Sequence, residues 1–234
     1  MYRVIAALIR HGDYQQLPDT PSAHQPFPLT AQGIAQAQEA ITGMREEISA
    51  NGWTLDPVVD SSMLLRGWET ARIIADGLSP LLGSLPVVES FAALAERGLG
   101  SAANLTTHQI EDILERDPRF EQPPRNWKSN SRYRLPLQGA ESLLEAGARV
   151  AGHLRTRMQA LSSRATRDTV KIFVGHGAAF RHAAHVLGVL EFDDIARLSM
   201  YHARPVYLEY RTDGKWRHLG GKWKIRATTE DALD

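Results

Sequence analysis

Two histidines stand in the same local setting. His11 sits near the end of V-I-A-A-L-I-R-H-G (4–12) and His176 near the end of V-K-I-F-V-G-H-G (170–177); each follows an apolar stretch and precedes a glycine. Arg10 adjoins the first, and a second arginine, Arg66, falls in the first turn of a predicted helix. Two imidazoles and two planar guanidinium forks suit a phosphoryl group, because guanidinium pairs with phosphate oxygens in a bidentate way. A neutral imidazole can attack phosphorus and form a phosphoramidate. The departing oxygen then needs a proton, and Glu96, in L-A-E-R-G-L-G (94–100), carries a carboxyl that can supply it.

These groups act together only if the fold brings them together. The run 4–9 is short, unbroken and rich in β-branched residues, as expected of a strand buried on both faces. Further strands are predicted over 57–61, 86–90 and 170–174. Helices are predicted over 30–51, 64–78, 106–117, 140–161 and 177–187. Asp213-Gly214 between 206–211 and 216–219 signals a hairpin, and the chain from 220 onward reads as a tail. This alternation predicts an α/β three-layer sandwich: a mostly parallel sheet with an antiparallel edge strand and helices on both faces. In a parallel sheet both His-Gly ends lie on one edge, where such folds bind ligands. A single domain over 1–234 is expected, with an irregular lid-like excursion at about 98–138. Its later part, 118–138, interleaves Trp127 and Tyr133 with five basic residues and reads either as a solvated loop or as a substrate-recognition lid.

Composition narrows the partners. The 234 residues carry 27 Lys+Arg and 27 Asp+Glu, so the net charge is zero and bulk nucleic-acid binding is disfavoured. Cysteine is absent, which removes disulfides, thiolate catalysis and Cys-ligated metal. The N-terminal apolar run is short for a signal peptide and is interrupted by Arg10, and no stretch is long enough to span a membrane. The expectation is a cytoplasmic protein without a membrane partner. Its oligomeric state stays open, a homodimer included.

Six segments, in this order, resemble the histidine phosphatase superfamily, the phosphoglycerate mutase-like fold. They are L-I-R-H-G (8–12), P-L-T-x-x-G (28–33), S-x-L-L-R-x-x-E-T-A (62–71), L-A-E-R (94–97), G-A-E-S-L (139–143) and V-G-H-G (174–177). The resemblance implies that His11 is the phosphorylated nucleophile. It places Arg10, Arg66 and His176 around the phosphate, has the Gly177 backbone N–H add a donor, and makes Glu96 general acid and then base. It implies no metal and no cofactor, and a phosphorylated small molecule or phosphoprotein as substrate. Asp13-Tyr14 stands where mutases of this family carry Glu-Ser, Ala178 where they carry Asn, and Leu99 where they carry Tyr. These departures favour the phosphatase branch over a mutase. A non-catalytic module that captures phosphorylated ligands is the alternative of a different class.

Plainer readings stand beside these. Arg66 could be an ion-pair partner of Glu69 or Asp60 on the protein's own frame. His182 and His185 lie one helical turn apart and could imitate a metal pair with His176, although no suitably spaced carboxylate joins them.

Overall fold

The N-terminal apolar run forms β1 (Val4–Arg10), and all of it is buried. The computed structural model describes residues 2–226. After a long loop, α1 (Ala31–Asn51) starts where Thr30 accepts the Gly33 N–H, and it stops at Gly52 in the left-handed conformation, φ 64°. There follow β2 (Thr54–Leu55), β3 (Val58–Ser62), α2 (Leu65–Leu78) and β4 (Val87–Phe91). Next come α3 (Thr107–Arg116) and α4 (Leu143–Arg164). A reciprocal capping box fixes the start of each, Thr106 with Gln109 and Ser142 with Glu145. The chain continues through β5 (Thr169–Gly175), α5 (Gly177–Val186), α6 (Phe192–Arg197) and β6 (Leu198–Ser199). It ends in β7 (Pro205–Tyr210), β8 (Trp216–Gly220) and β9 (Lys224–Ile225).

The main sheet has the order β4-β3-β5-β1-β7-β8, with β2 also on β5. Strands β4, β3, β5 and β1 run parallel, while β7 and β8 form an antiparallel edge. Alternate residues of β1 enter opposite cores, as a pleated strand covered on both faces requires. Ile5, Ala7 and Ile9 join Met44 and Ile48 of α1 and Ile74 and Leu78 of α2. Val4, Ala6 and Leu8 join Val150, Leu154 and Met158 of α4 and Phe180 of α5. A third apolar cluster gathers Ala23, Leu99, Ala102, Ile110, Leu114, Trp127 and Leu135 away from the sheet.

One expectation needs correction. The chain beyond 220 is not simply a tail: Lys224 and Ile225 pair antiparallel with Ser199 and Leu198, a ladder too short to read from a sequence. The remainder of the predicted tail, 227–234, lies outside the described residues. The sequence does not announce α6, because six residues are too few to establish a helical period.

Candidate active site

Pairing of β1 with β5 sets Arg10 opposite Gly175, and the next residue, His11, donates its backbone N–H to the Gly175 carbonyl at 3.0 Å. The two strands therefore end at the same level, and the His11 and His176 ring centroids are 5.0 Å apart. The place of Gly12 in the structure requires close approach of two backbones. A Cβ there would come within 2.4 Å of the Gly33 carbonyl, and one on Gly33 within 1.9 Å of the Asp13 carbonyl. The first turn of α1 thus packs backbone to backbone against the loop after His11, which accounts for both glycines.

The His11 tautomer follows from its neighbours. Nδ1 lies 2.6 Å from the Gly12 carbonyl, which can only accept, so Nδ1 carries the proton. Nε2 then holds a lone pair and receives the Arg66 Nε–H at 3.2 Å. Burial, reinforced by the positive charges of Arg66 and Arg10 and by His176, holds the His11 pKa well below the ordinary histidine value. Its imidazole is neutral and aims an unprotonated nitrogen at a guanidinium.

Arg66 is fully buried. Besides His11 it donates to the carbonyls of Gln25 at 2.8 Å and Ala23 at 2.7 Å, and to His176 Nδ1 at 3.3 Å. The Tyr14 ring lies 4.3 Å from its guanidinium carbon. The ion-pair reading fails: Asp60 is held by Lys171, Arg157 and His153, and Glu69 accepts the Leu29 N–H. Because Arg66 can only donate, His176 accepts at Nδ1 and donates from Nε2 to Ser62 Oγ at 2.9 Å. Burial and the charge of Arg66 also keep His176 neutral. Arg10 donates to the Met200 carbonyl at 3.2 Å. Gly177 begins α5 beside it, and a Cβ at that position would reach Arg10 Cδ at 3.0 Å. The His176 side chain makes no capping bond to this helix, so the positive end of its dipole faces the site, where an anion is favoured.

Glu96 sits at the margin of this group. It is buried, and Oε1 accepts the Arg97 N–H at 2.8 Å. Its charge acts on Arg66, Tyr14 and Arg97. The structure therefore gathers Arg10, His11, Arg66, His176 and the start of α5 at one edge of the sheet, with Glu96 on a neighbouring loop.

Residues 6–220 match the sequence pattern of the histidine phosphatase superfamily, branch 1. The chain belongs to that superfamily. Against curated proteins the sequence finds no match. Among solved structures it is similar to a phosphoglycerate mutase from Bacillus anthracis, at TM-score 0.69 and 16% identity over 99% of this chain and 96% of that one. It is similar to a mycobacterial glucosyl-3-phosphoglycerate phosphatase, at 0.61 and 20% over 96% and 98%. A phosphoserine phosphatase from Entamoeba histolytica, solved with 3-phosphoglyceric acid, gives 0.63 and 17% over 96% and 98%. At these identities the likeness carries the fold.

Within the superfamily's pattern, the departures found in the sequence have structural places. Asp13 accepts the Thr30 hydroxyl at 2.7 Å and so ties its loop to the head of α1. Tyr14 meets His11 edge-on, ring centroids 5.3 Å apart, and shares a hydrogen bond with Ser22. Leu99 is buried in the third cluster with Trp127. Both His182 nitrogens are engaged by the protein: Nδ1 donates to the Ala178 carbonyl at 2.7 Å and Nε2 accepts from Ser131 Oγ at 3.0 Å. Among the described residues no three His, Asp or Glu side chains gather as a metal site.

Sequence reasoning missed several contributors. Ser62 was seen only as a motif letter. His202 donates Nδ1–H to the His11 carbonyl at 2.7 Å, across 191 positions of chain. The carbonyls of Ala23 and Gln25 bind Arg66, and no side-chain pattern announces a carbonyl's role. Arg149, on α4, bonds to the loop that carries Glu96.

Proposed function

We propose that this chain is a phosphatase that hydrolyses phosphomonoesters through a phosphohistidine on His11, with no metal ion required. The observation that carries this reading is the His11 ring: its proton is committed to Gly12, its pKa is depressed, and its free Nε2 faces Arg66. In the first step Nε2 bonds to phosphorus as the ester P–O bond breaks, and the Glu96 carboxyl gives its proton to the leaving oxygen. Arg10, Arg66 and the Gly177 N–H hold the phosphoryl oxygens and offset their charge, with His176 beside them in the pocket wall. In the second step water attacks phosphorus, Glu96 takes its proton, and His11 is released with phosphate.

The substrate class in this reading is a phosphorylated small molecule or a phosphoprotein. Relatives of the same fold named as phosphatases support phosphate-ester hydrolysis. Ala178 and Leu99 favour hydrolysis over isomerisation, since neither side chain can grip a small, highly charged glycerate while a bisphosphate intermediate turns around. Rapid quenching with a radiolabelled phosphate ester is expected to trap an acid-labile, base-stable label on His11. Activity is expected to survive exhaustive chelation. An acid-stable phosphoserine, or activity lost on chelation and restored by a metal, sinks the mechanism. Efficient conversion of 3-phosphoglycerate to 2-phosphoglycerate with catalytic 2,3-bisphosphoglycerate, and little free phosphate, makes the chain a mutase instead.

A further inference from the structure

Glu96 stands on 92–98, a loop outside the sheet, and a proton donor is useful only where it is held in position. The loop is held from α4. Arg149 donates from Nη1 to the carbonyls of Ala93 at 2.9 Å, Ala95 at 3.1 Å and Ala92 at 3.3 Å, and from Nη2 to the carbonyl of Glu96 itself at 3.3 Å. Its other bonds run to Glu141, Nε to Oε1 and Nη2 to Oε2, both at 2.8 Å. Glu141 closes the loop from the far side. Its Oε2 accepts the Gly98 N–H at 3.0 Å, and its own N–H donates to the Gly98 carbonyl at 2.8 Å. The ion pair thus grips the chain on both sides of Glu96 and at Glu96.

We propose that Arg149, oriented by Glu141, is a positioning residue that sets Glu96 for proton transfer, an inference that rests on Glu96 being the acid of the proposed phosphatase. Only a guanidinium fits the task. It offers five N–H donors in a rigid fork, and all of them are engaged by four carbonyls and a carboxylate. A lysine has three donors at a single point and leaves some of these carbonyls without a partner. Burial alone raises a carboxyl's pKa, but the Arg149 bonds and the Gly98 N–H outweigh it at Glu141, which therefore stays ionised and keeps its grip. Glu96's own Oε1 accepts the Arg97 N–H, so a shift of the loop turns the carboxylate with the backbone.

The test compares phenyl phosphate with p-nitrophenyl phosphate, which have similar shapes and differ chiefly in how much their leaving oxygen needs a proton. kcat/KM isolates the phosphorylation step and is measured for the wild type, Arg149→Lys, Glu141→Gln, Glu96→Gln and the Arg149→Lys/Glu96→Gln double variant. Arg149→Lys is expected to lower kcat/KM for phenyl phosphate about 10-fold or more and for p-nitrophenyl phosphate about 3-fold or less. It is expected to add almost nothing in the Glu96→Gln background, because a residue acting through another loses its effect when that other is gone. Glu141→Gln is expected to follow Arg149→Lys more weakly. Hydrogen exchange on the full chain is expected to speed up at the 95–98 amides in Arg149→Lys while β1 and β5 stay protected, which separates loop release from unfolding. Equal losses on both substrates, or losses that multiply in the double variant, overturn the proposal. If Glu96→Gln depends on the leaving group and Arg149→Lys does not, only the clamp falls; if Glu96→Gln shows no such dependence, Glu96 is not the acid and both readings fall.

Discussion

His11 and His176 are fastened to the ends of two hydrogen-bonded strands, whereas Glu96 is fastened to a loop that an arginine from another layer holds down. The strand-end groups inherit their spacing from the sheet. Seven consecutive residue pairs of β1 and β5 fix where both strands stop, so moving one histidine means moving the core. The loop carboxylate inherits its place from four hydrogen bonds between its loop and one side chain. In the proposed mechanism the nucleophile thus stands on the buried sheet, and the proton-handling carboxylate on a loop that local unfolding can reach.

The sharpest way to break this comparison is at the nucleophile. His11→Ala is expected to lower turnover roughly 10⁴-fold or more, the scale on which an essential group of a catalytic unit fails. The variant is expected to stay folded, because the strand ladder does not use the side chain. A chevron or urea midpoint close to wild type, with no phosphoenzyme on quenching, is the expected pair of results. Residual phosphoenzyme at another histidine would move the nucleophile away from the strand end.

The loop side should respond selectively. Glu96→Gln is expected to slow alkyl phosphate hydrolysis about 10²-fold or more in kcat/KM while p-nitrophenyl phosphate loses far less, since nitrophenolate departs without a proton. A uniform loss on both esters shows that Glu96 serves the phosphate pocket rather than the leaving group, and the two halves of the site then merge.

A third expectation uses pH. His11 and His176 are held well below the ordinary histidine value, and burial lowers His182 to about 3. In the unfolded chain these rings protonate near their ordinary value, about 6.5. Below that pH the unfolded state binds more protons than the folded one, so stability falls as pH falls and is fully present above it. Unfolding by urea at pH 7.5 and 5.5 is expected to show a loss of roughly 1 kcal/mol per buried histidine at the lower pH. His176→Asn is expected to flatten the dependence. The acid limb that His11 contributes to kcat/KM is expected well below the ordinary histidine value, because burial and the charge of Arg66 keep the ring neutral. A limb centred on the ordinary histidine value contradicts the closed pocket around it.

The same contrast explains what the sequence disclosed. Strand, histidine and glycine lie next to one another in the chain, so 4–12 and 170–177 could be read directly, and a parallel sheet put their ends on one edge. The predicted range 30–51 came close to α1 because a helix capped by Thr30 and Gly52 ends by local chemistry, which needs no knowledge of the rest of the fold. The contacts that complete the site are long-range and mostly involve backbone. Arg66 binds carbonyls 41 and 43 positions away, His202 reaches the His11 carbonyl, and Arg149 reaches residues more than fifty positions earlier. A carbonyl has no letter of its own, and an arginine on a helix otherwise reads as a solvated face. Gly12 was legible as part of the motif but its reason was not, because only the folded chain shows the Gly33 backbone pressed against it.

The smallest expected effect concerns the basic-aromatic stretch, where the comparison can be sharpened. Trp127 is almost fully buried, packs with Leu99, Ile110, Leu114 and Leu135, and donates Nε1–H to Glu111 Oε1 at 3.0 Å. The Arg97 guanidinium lies 5.9 Å from its ring, so this cluster touches the residue next to Glu96. Trp127→Phe keeps a large aromatic in the cluster and a face for Arg97, and removes the N–H bond to α3. Its cost is expected to be about 0.5–1.5 kcal/mol for that bond, plus a smaller loss of packing. Faster amide exchange should be confined to α3 and 118–138, while β1 and β5 keep their protection. kcat/KM for p-nitrophenyl phosphate should stay within about 2-fold of wild type, since nitrophenolate departs with little help from an acid. A leaving-group-dependent loss in Trp127→Phe that approaches that of Glu96→Gln would show that the third cluster, and not Arg149 alone, holds the acid in place.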